Sequence, residues 1–245
     1  MKKRLPRGTL SRAVVLDAAF RVVDAEDAKD LTMARLGREL NTDASSVYRH
    51  FASKEQLLRA MADVLLEETL AAYVEGDEPI ENVRRMAWAL RRSYLRRPGL
   101  ARLITLRSND GEASQACMAV LLTSVHDLGY RGDDAVVMAR AVAEVTLSHI
   151  AMTADELAQP PRTQRADLEL AASAYSLPRA RLEVDDAGLN ESVLADGEHV
   201  FGAALELLLA GLSGRAAAPR PRRRTASRKP AAPARPAKGT AARVR

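Results

Sequence analysis

If residues 44–51 are helical, Ala44, Ser45, Tyr48 and Arg49 share one face, and Val47 and Phe51, four apart, share the other. Small and hydrogen-bonding side chains on an outer face let a helix lie close in a DNA major groove. There Ala44 meets a thymine methyl, Ser45 pairs with several bases, and Arg49 is the long donor. Taken alone, Tyr48 and Phe51 would equally suit a pair of core aromatics. Bond-breaking chemistry has less support. The chain has no G-x-S-x-G, no Gly-rich phosphate loop and no H-E-x-x-H, and Cys117 is its one cysteine. His126 and His149 fall on different predicted helices, with no carboxylate or second histidine in a ligating register. Neither a metal nor any other cofactor is expected.

Holding such a face against DNA takes a small scaffold of helices. Ser11 is a good N-cap for a helix running to Asp24, with Val15, Leu16, Ala19, Phe20, Val22 and Val23 at helical spacing. Thr32 caps a second helix, 33–40, whose Met33, Leu36 and Leu40 face inward toward Val47, Phe51 and Phe20. Asn41-Thr42-Asp43 forms a short turn, and Asn41 stands where the chain needs positive φ. The helix 44–51 follows, and Ser53 caps a fourth, Lys54 to Tyr73. Two short helices joined by a tight turn behind a supporting helix make a helix-turn-helix.

Beyond Pro79 the spacing predicts helices over 80–97, 100–106, 112–128, 133–157 and 196–212, with one stretch near 165–175. Pro98-Gly99, Gly129, and Gly211 with Gly214 are read as helix stops. No window alternates with period two, so the fold class is all-α.

The 245 residues are 47% hydrophobic and 28% charged, enough to bury a core. The net charge of +5 hides a split: residues 1–54 carry +4, residues 55–213 carry −10, and residues 214–245 hold 11 Lys and Arg with no acid. Basic ends around an acidic middle suit a polyanion partner at the ends and other work between. The first apolar run is broken by Asp17 and Arg21, and the run 136–152 by Arg140, Glu144 and His149. Neither a signal peptide nor a membrane partner is expected, and the chain reads as soluble and cytoplasmic. The Ala/Pro/Arg-rich stretch 214–245 reads as a disordered basic tail.

The residues Leu31-Thr32-Met33, Leu36, Leu40, Val47-Tyr48-Arg49-His50-Phe51 and Ser53-Lys54-Glu55-Gln56-Leu57-Leu58 resemble the DNA-binding domain of the TetR family of bacterial transcription regulators. The likeness covers about 11–66, with Asn41 replacing the usual turn glycine. It implies that Tyr48, His50 and Lys54 touch phosphates, together with backbone N–H groups near Thr32 and Met33, while Ala44, Ser45 and Tyr48 face bases and Arg49 stands beside them. Two readings stand for His50, a phosphate contact or a local structural hydrogen bond. Lys2, Lys3, Arg4 and Arg7 read as a minor-groove arm or a solvated terminus, and the tail as a solvated extension or a weak, salt-sensitive DNA contact.

The domains expected are a DNA-binding domain over 8–66, a helical ligand-sensing and dimerisation domain over 67–213, and the tail. The last helix is apolar on two adjacent rows: Phe201, Leu205, Leu208, Leu212, and beside it Ala203, Leu207, Ala210. Core on one side and a second copy on the other would cover both. The resemblance implies a four-helix dimer interface, here with Val145, Phe201, Leu205, Leu208 and Leu212, and a pocket for a small apolar effector. Pocket candidates are Met86, Leu90, Tyr94, Leu103, Met118, Leu122, His126, Met138, Val142 and His149, a Met-rich set suited to an adaptable cavity although each alone suits a plain core. The function expected is a homodimeric, effector-released repressor binding a palindromic double-stranded operator. Its rivals are a sequence-nonspecific DNA binder using the tail and an all-helical enzyme.

Overall fold

The computed structural model describes residues 10–25, 30–105, 107, 110–174 and 197–217. Lys2, Lys3, Arg4, Arg7 and nearly all of the basic tail lie outside the described residues. Among those described, ten helices and no strands occur: α1 (Arg12–Ala25), α2 (Met33–Glu39), α3 (Ala44–Tyr48), α4 (Lys54–Ala72), α5 (Pro79–Leu95), α6 (Pro98–Ile104), α7 (Glu112–Asp127), α8 (Gly132–Leu157), α9 (Pro161–Ala174) and α10 (Gly197–Ala217).

Three of these, α5, α6 and α9, begin on a proline. Proline ends the preceding helix, and its fixed φ and missing N–H also suit the first position of the next, so a predicted stop is a start as well. Two expectations fail at helix ends. The helix of α3 closes at Tyr48 rather than Phe51, although Phe51 N–H still reaches the Val47 carbonyl at 3.1 Å. Gly211 and Gly214 do not stop α10, which runs to Ala217. A glycine without a left-handed φ merely weakens a helix, by about 1 kcal/mol. Gly129, at φ 100°, does end α7.

Val15, Ala18, Ala19 and Val22 of α1 bury against Leu36, Leu40, Val47, Phe51, Leu57 and Met61 to form the first core. Phe20, expected in that centre, is only partly buried and has the Arg97 guanidinium 5.1 Å from its ring centre. The long α4 packs on α1 and also on α5, α6 and α7, so it belongs to both halves. In the second half α5 is central, touching α4, α6, α7, α8 and α10. By length and apolar composition α8 would suffice to cross a membrane. Its Ala135, Ala139, Val142, Thr146, Ile150 and Ala154 are instead buried against neighbouring helices.

Polar contacts join the halves. Arg97, between α5 and α6, reaches Asp24 of α1 at 2.9 Å and Glu68 of α4 at 3.6 Å. Arg96 pairs with Glu68, and Arg107 with Glu55. The Ser114 N–H, in the first turn of α7, donates to Asp63 of α4 at 3.2 Å.

Candidate nucleic-acid interface

The turn between α2 and α3 is built from backbone hydrogen bonds. Asn41 sits at φ 51°, the left-handed conformation expected of it. Its N–H donates to the Arg38 carbonyl at 3.2 Å, and the Thr42 N–H donates to the Gly37 carbonyl at 2.8 Å. Those two bonds form a Schellman motif, which satisfies the last carbonyls of α2 and reverses the chain. Gly37 is buried where the reversed chain returns: a Cβ there would lie 2.9 Å from the Thr42 oxygen and 3.0 Å from the Ala44 nitrogen. Asn41 was legible in the sequence, whereas Gly37 was missed.

Val47 and Phe51, both fully buried, anchor α3 to the core. That anchoring turns Ser45, Tyr48 and Arg49 outward, with Tyr48 half exposed, and leaves Ala44 and His50 partly exposed. Arg49 folds back so that its Nη2 donates to Ser46 Oγ at 2.9 Å. A second residue missed from the sequence holds the far end. Arg12 of α1 lies over the Phe51 ring, 4.1 Å from its centre, and its Nη1 donates to the His50 carbonyl at 3.1 Å.

The flanking helix starts are capped. Thr32 Oγ1 accepts from the Arg35 N–H at 3.0 Å, and Ser53 Oγ accepts from the Gln56 N–H at 3.1 Å. Gln56 Oε1 accepts from the Ala52 N–H at 2.7 Å. Thr32 is exposed and Lys54 partly so, but the Met33 side chain is buried, leaving its backbone N–H as the group able to meet a phosphate. A donor-rich helix face flanked by two helix N-termini is a surface that grips phosphates and presents side chains to base edges.

The second half divides the remaining candidates. Met86, Leu90, Tyr94 and Val142 are buried, and Leu103, Met118, Leu122 and Met138 are partly buried against the same core. Burial raises the Tyr94 phenol, and it pushes the Cys117 thiol up to about 11, with the Asp63 charge adding to both. His126 does not join them. Its side chain is 55% exposed and lies 3.4 Å from Asp127, because residue 126 falls on the solvent side of α7. His149 is partly buried with its ring edge-on to Phe201 at 5.6 Å. Two grooves open on either side of Trp88. One, of about 610 Å³, is lined by Trp88, Glu198, His199, Gly202 and Ala203. The other, of about 320 Å³, lies between the end of α4 and α5.

On α10, Phe201, Leu205 and Leu212 are covered by their own chain, and Leu208 partly so, which corrects their placement on a partner-facing row. Phe201 packs edge-on to Trp88 at 4.9 Å. Arg84 of α5 grips Glu206 through two bonds of 2.7 and 2.9 Å, and the Tyr130 hydroxyl donates to the Leu212 carbonyl at 2.7 Å. These contacts fix the rotation of α10. They turn Val200, Ala203, Leu207 and Ala210 outward, and Val145 and Met152 of α8 are exposed as well.

An outward-facing reading helix on a Schellman turn, backed by a separate helical half, defines a two-domain helix-turn-helix protein. The family model for bacterial regulatory proteins of the tetR family matches residues 15–61, and that for the tetracyclin repressor-like C-terminal domain matches 74–216. The chain belongs to the TetR family. It is 29% identical over 109 residues to the HTH-type transcriptional repressor Rv1353c of Mycobacterium tuberculosis, covering 44% of this chain and 42% of that one. The chain thus spans less than half the length of that curated relative. A crystal structure of a possible TetR family regulator from Streptomyces coelicolor A3(2) superposes with a TM-score of 0.71 at 28% identity, covering 84% of this chain and all of that one. BioQ, whose Mycobacterium smegmatis form is also solved, has been crystallised with its double-stranded DNA operator. That structure superposes with a TM-score of 0.59 at 25% identity, covering 84% of this chain and 99% of that one.

Proposed function

We propose that this chain is a homodimeric transcriptional repressor of the bacterial cytoplasm that binds a palindromic operator and is released by a small-molecule effector. The observation that carries the reading is the outer face of α3, with Ser45, Tyr48 and Arg49 exposed above the buried Val47 and Phe51. One short helix reads too few base pairs to be specific. Two copies on a two-fold axis, with half-sites about 34 Å apart, add their free energies. BioQ, solved on its operator, supports DNA as the partner, and the repressor Rv1353c supports the direction of control.

The partner face in this reading is the exposed stripe Val200, Ala203, Leu207 and Ala210 of α10 with Val145 of α8. The chain acts by binding and not as an enzyme. Effector binding in the 74–216 half changes the separation of the two reading helices through α4, which packs on both halves. A typical coupling of about 1–3 kcal/mol between effector and operator corresponds to a 5- to 150-fold change in affinity.

Footprinting on DNA upstream of the chain's own gene identifies the operator, and titration with Tyr48→Phe and Lys54→Ala tests the contacts. Each variant is expected to bind at least several-fold more weakly. Unchanged affinity in both refutes the docking scheme.

A further inference from the structure

Arg91 of α5 is a charged side chain nine-tenths buried, which proteins tolerate only where the charge is met. Its guanidinium carbon lies 5.3 Å from the centre of the Phe201 ring and 5.9 Å from that of Trp88. The nearest carboxylate given for it is Glu198, in the first turn of α10. That contact is long at 4.0 Å, and the Glu198 side chain is 73% exposed. Moving Glu198 aside into water costs little, so its place beside the guanidinium is open to exchange.

That place borders a cavity. Trp88 and Glu198 both line the 610 Å³ groove between α5 and α10, a volume suited to a small organic molecule. A Cβ at position 202 would lie 3.5 Å from the indole, so glycine there keeps the aromatic wall clear. Beyond Phe201, the buried Nδ1 of His149 has no hydrogen-bond partner among the described residues. The region combines aromatic walls, a buried cation and an unused ring nitrogen. A planar carboxylate matches each of them: its π-face packs on the indole, and its two oxygens fit the guanidinium fork.

We propose that the groove between α5 and α10 binds an aromatic or similarly planar organic carboxylate, with Arg91 replacing its Glu198 contact by the ligand's carboxylate. This inference rests on the effector-responsive reading of the chain and names the chemistry of the effector. An anion is selected over a neutral or cationic molecule of the same shape, because only an anion compensates the Arg91 charge once Glu198 has moved.

Trp88 is the sole tryptophan, so intrinsic fluorescence of the full chain reports on the site directly. The probes are 3-phenylpropionate, 3-phenylpropanol and 3-phenylpropylammonium, which share one ring and differ in charge. The carboxylate is expected to bind at least tenfold more tightly than either of the others. Arg91→Gln is expected to erase that preference, and Glu198→Gln to strengthen carboxylate binding at least threefold by removing the competing group. Equal binding of the three probes, no binding of any, or a preference that survives Arg91→Gln overturns the proposal. Should Arg91→Gln fail to fold, the exposed Glu198→Gln decides: unchanged or weaker carboxylate affinity overturns it.

Operator binding by the same preparations separates the two readings. Sequence-specific DNA binding with no carboxylate preference overturns this site alone. Carboxylate preference without operator binding leaves the site standing and overturns the regulator reading.

Discussion

Gly37→Ala sets helix propensity against geometry in α2. Propensity alone favours alanine over glycine in a helix interior by about 1 kcal/mol. Here the new Cβ would stand 2.9 Å from the Thr42 carbonyl oxygen, 3.0 Å from the Ala44 nitrogen and 3.2 Å from the Asp43 carbonyl carbon. All three are backbone atoms of the turn, so no side chain can swing away. Relief requires α3 to move off α2 by several tenths of an ångström, against the Schellman bond from the Thr42 N–H to the Gly37 carbonyl. Overpacking of this kind costs about 1–3 kcal/mol, more than the propensity gain, so the net change is a loss of about 1–2 kcal/mol. Because the displaced element is the reading helix, operator affinity is expected to fall at least tenfold. Ala34→Gly, on the exposed side of the same helix, is the counterpart. It gives up about 1 kcal/mol of propensity without touching the turn and is expected to keep operator binding. Thermal unfolding and operator titration of both variants provide the measurement. A Gly37→Ala protein that melts higher than wild type and binds its operator normally refutes the reasoning.

Arg97→Ala removes two part-exposed ion pairs and the contact with Phe20 at once. Surface pairs are worth about 0–1 kcal/mol each and the ring contact about 0.5–1, so denaturant unfolding is expected to register a loss of about 1–2 kcal/mol. Leu207, 77% exposed on α10, touches little of its own chain. Leu207→Glu is expected to leave folding intact and convert the dimer to a monomer in light scattering, with loss of operator affinity; a persistent dimer would contradict the proposed partner face. Burial raises the Cys117 thiol from 9.0 to about 11, so the folded protein keeps it protonated where the unfolded chain releases its proton. Its contribution to stability is complete below about pH 9 and is lost as pH rises toward 11. A thiol reagent at pH 8 is expected to react slowly with native protein and rapidly after unfolding.

What the sequence made legible was local. Caps at Thr32 and Ser53 act within three residues, and Asn41 marks its own backbone conformation, so the helix-turn-helix could be read from a short window. Arg12 and Gly37 escaped for two reasons. Arg12 meets residues 38 and 39 positions away, which no periodicity encodes. Gly37 looks like an unremarkable helix glycine until the chain folds back on it. The partner face of α10 escaped for another. That helix is apolar on nearly every side, so two adjacent rows fit a core-facing stripe equally well. The choice between them is made by Arg84 gripping Glu206 and by Tyr130 reaching Leu212, contacts that join residues 122 and 82 positions apart. Each fixes a rotation of the helix about its own axis. In a nearly all-apolar helix the few polar groups carry that rotational information, because only they have a preferred direction in which to bond.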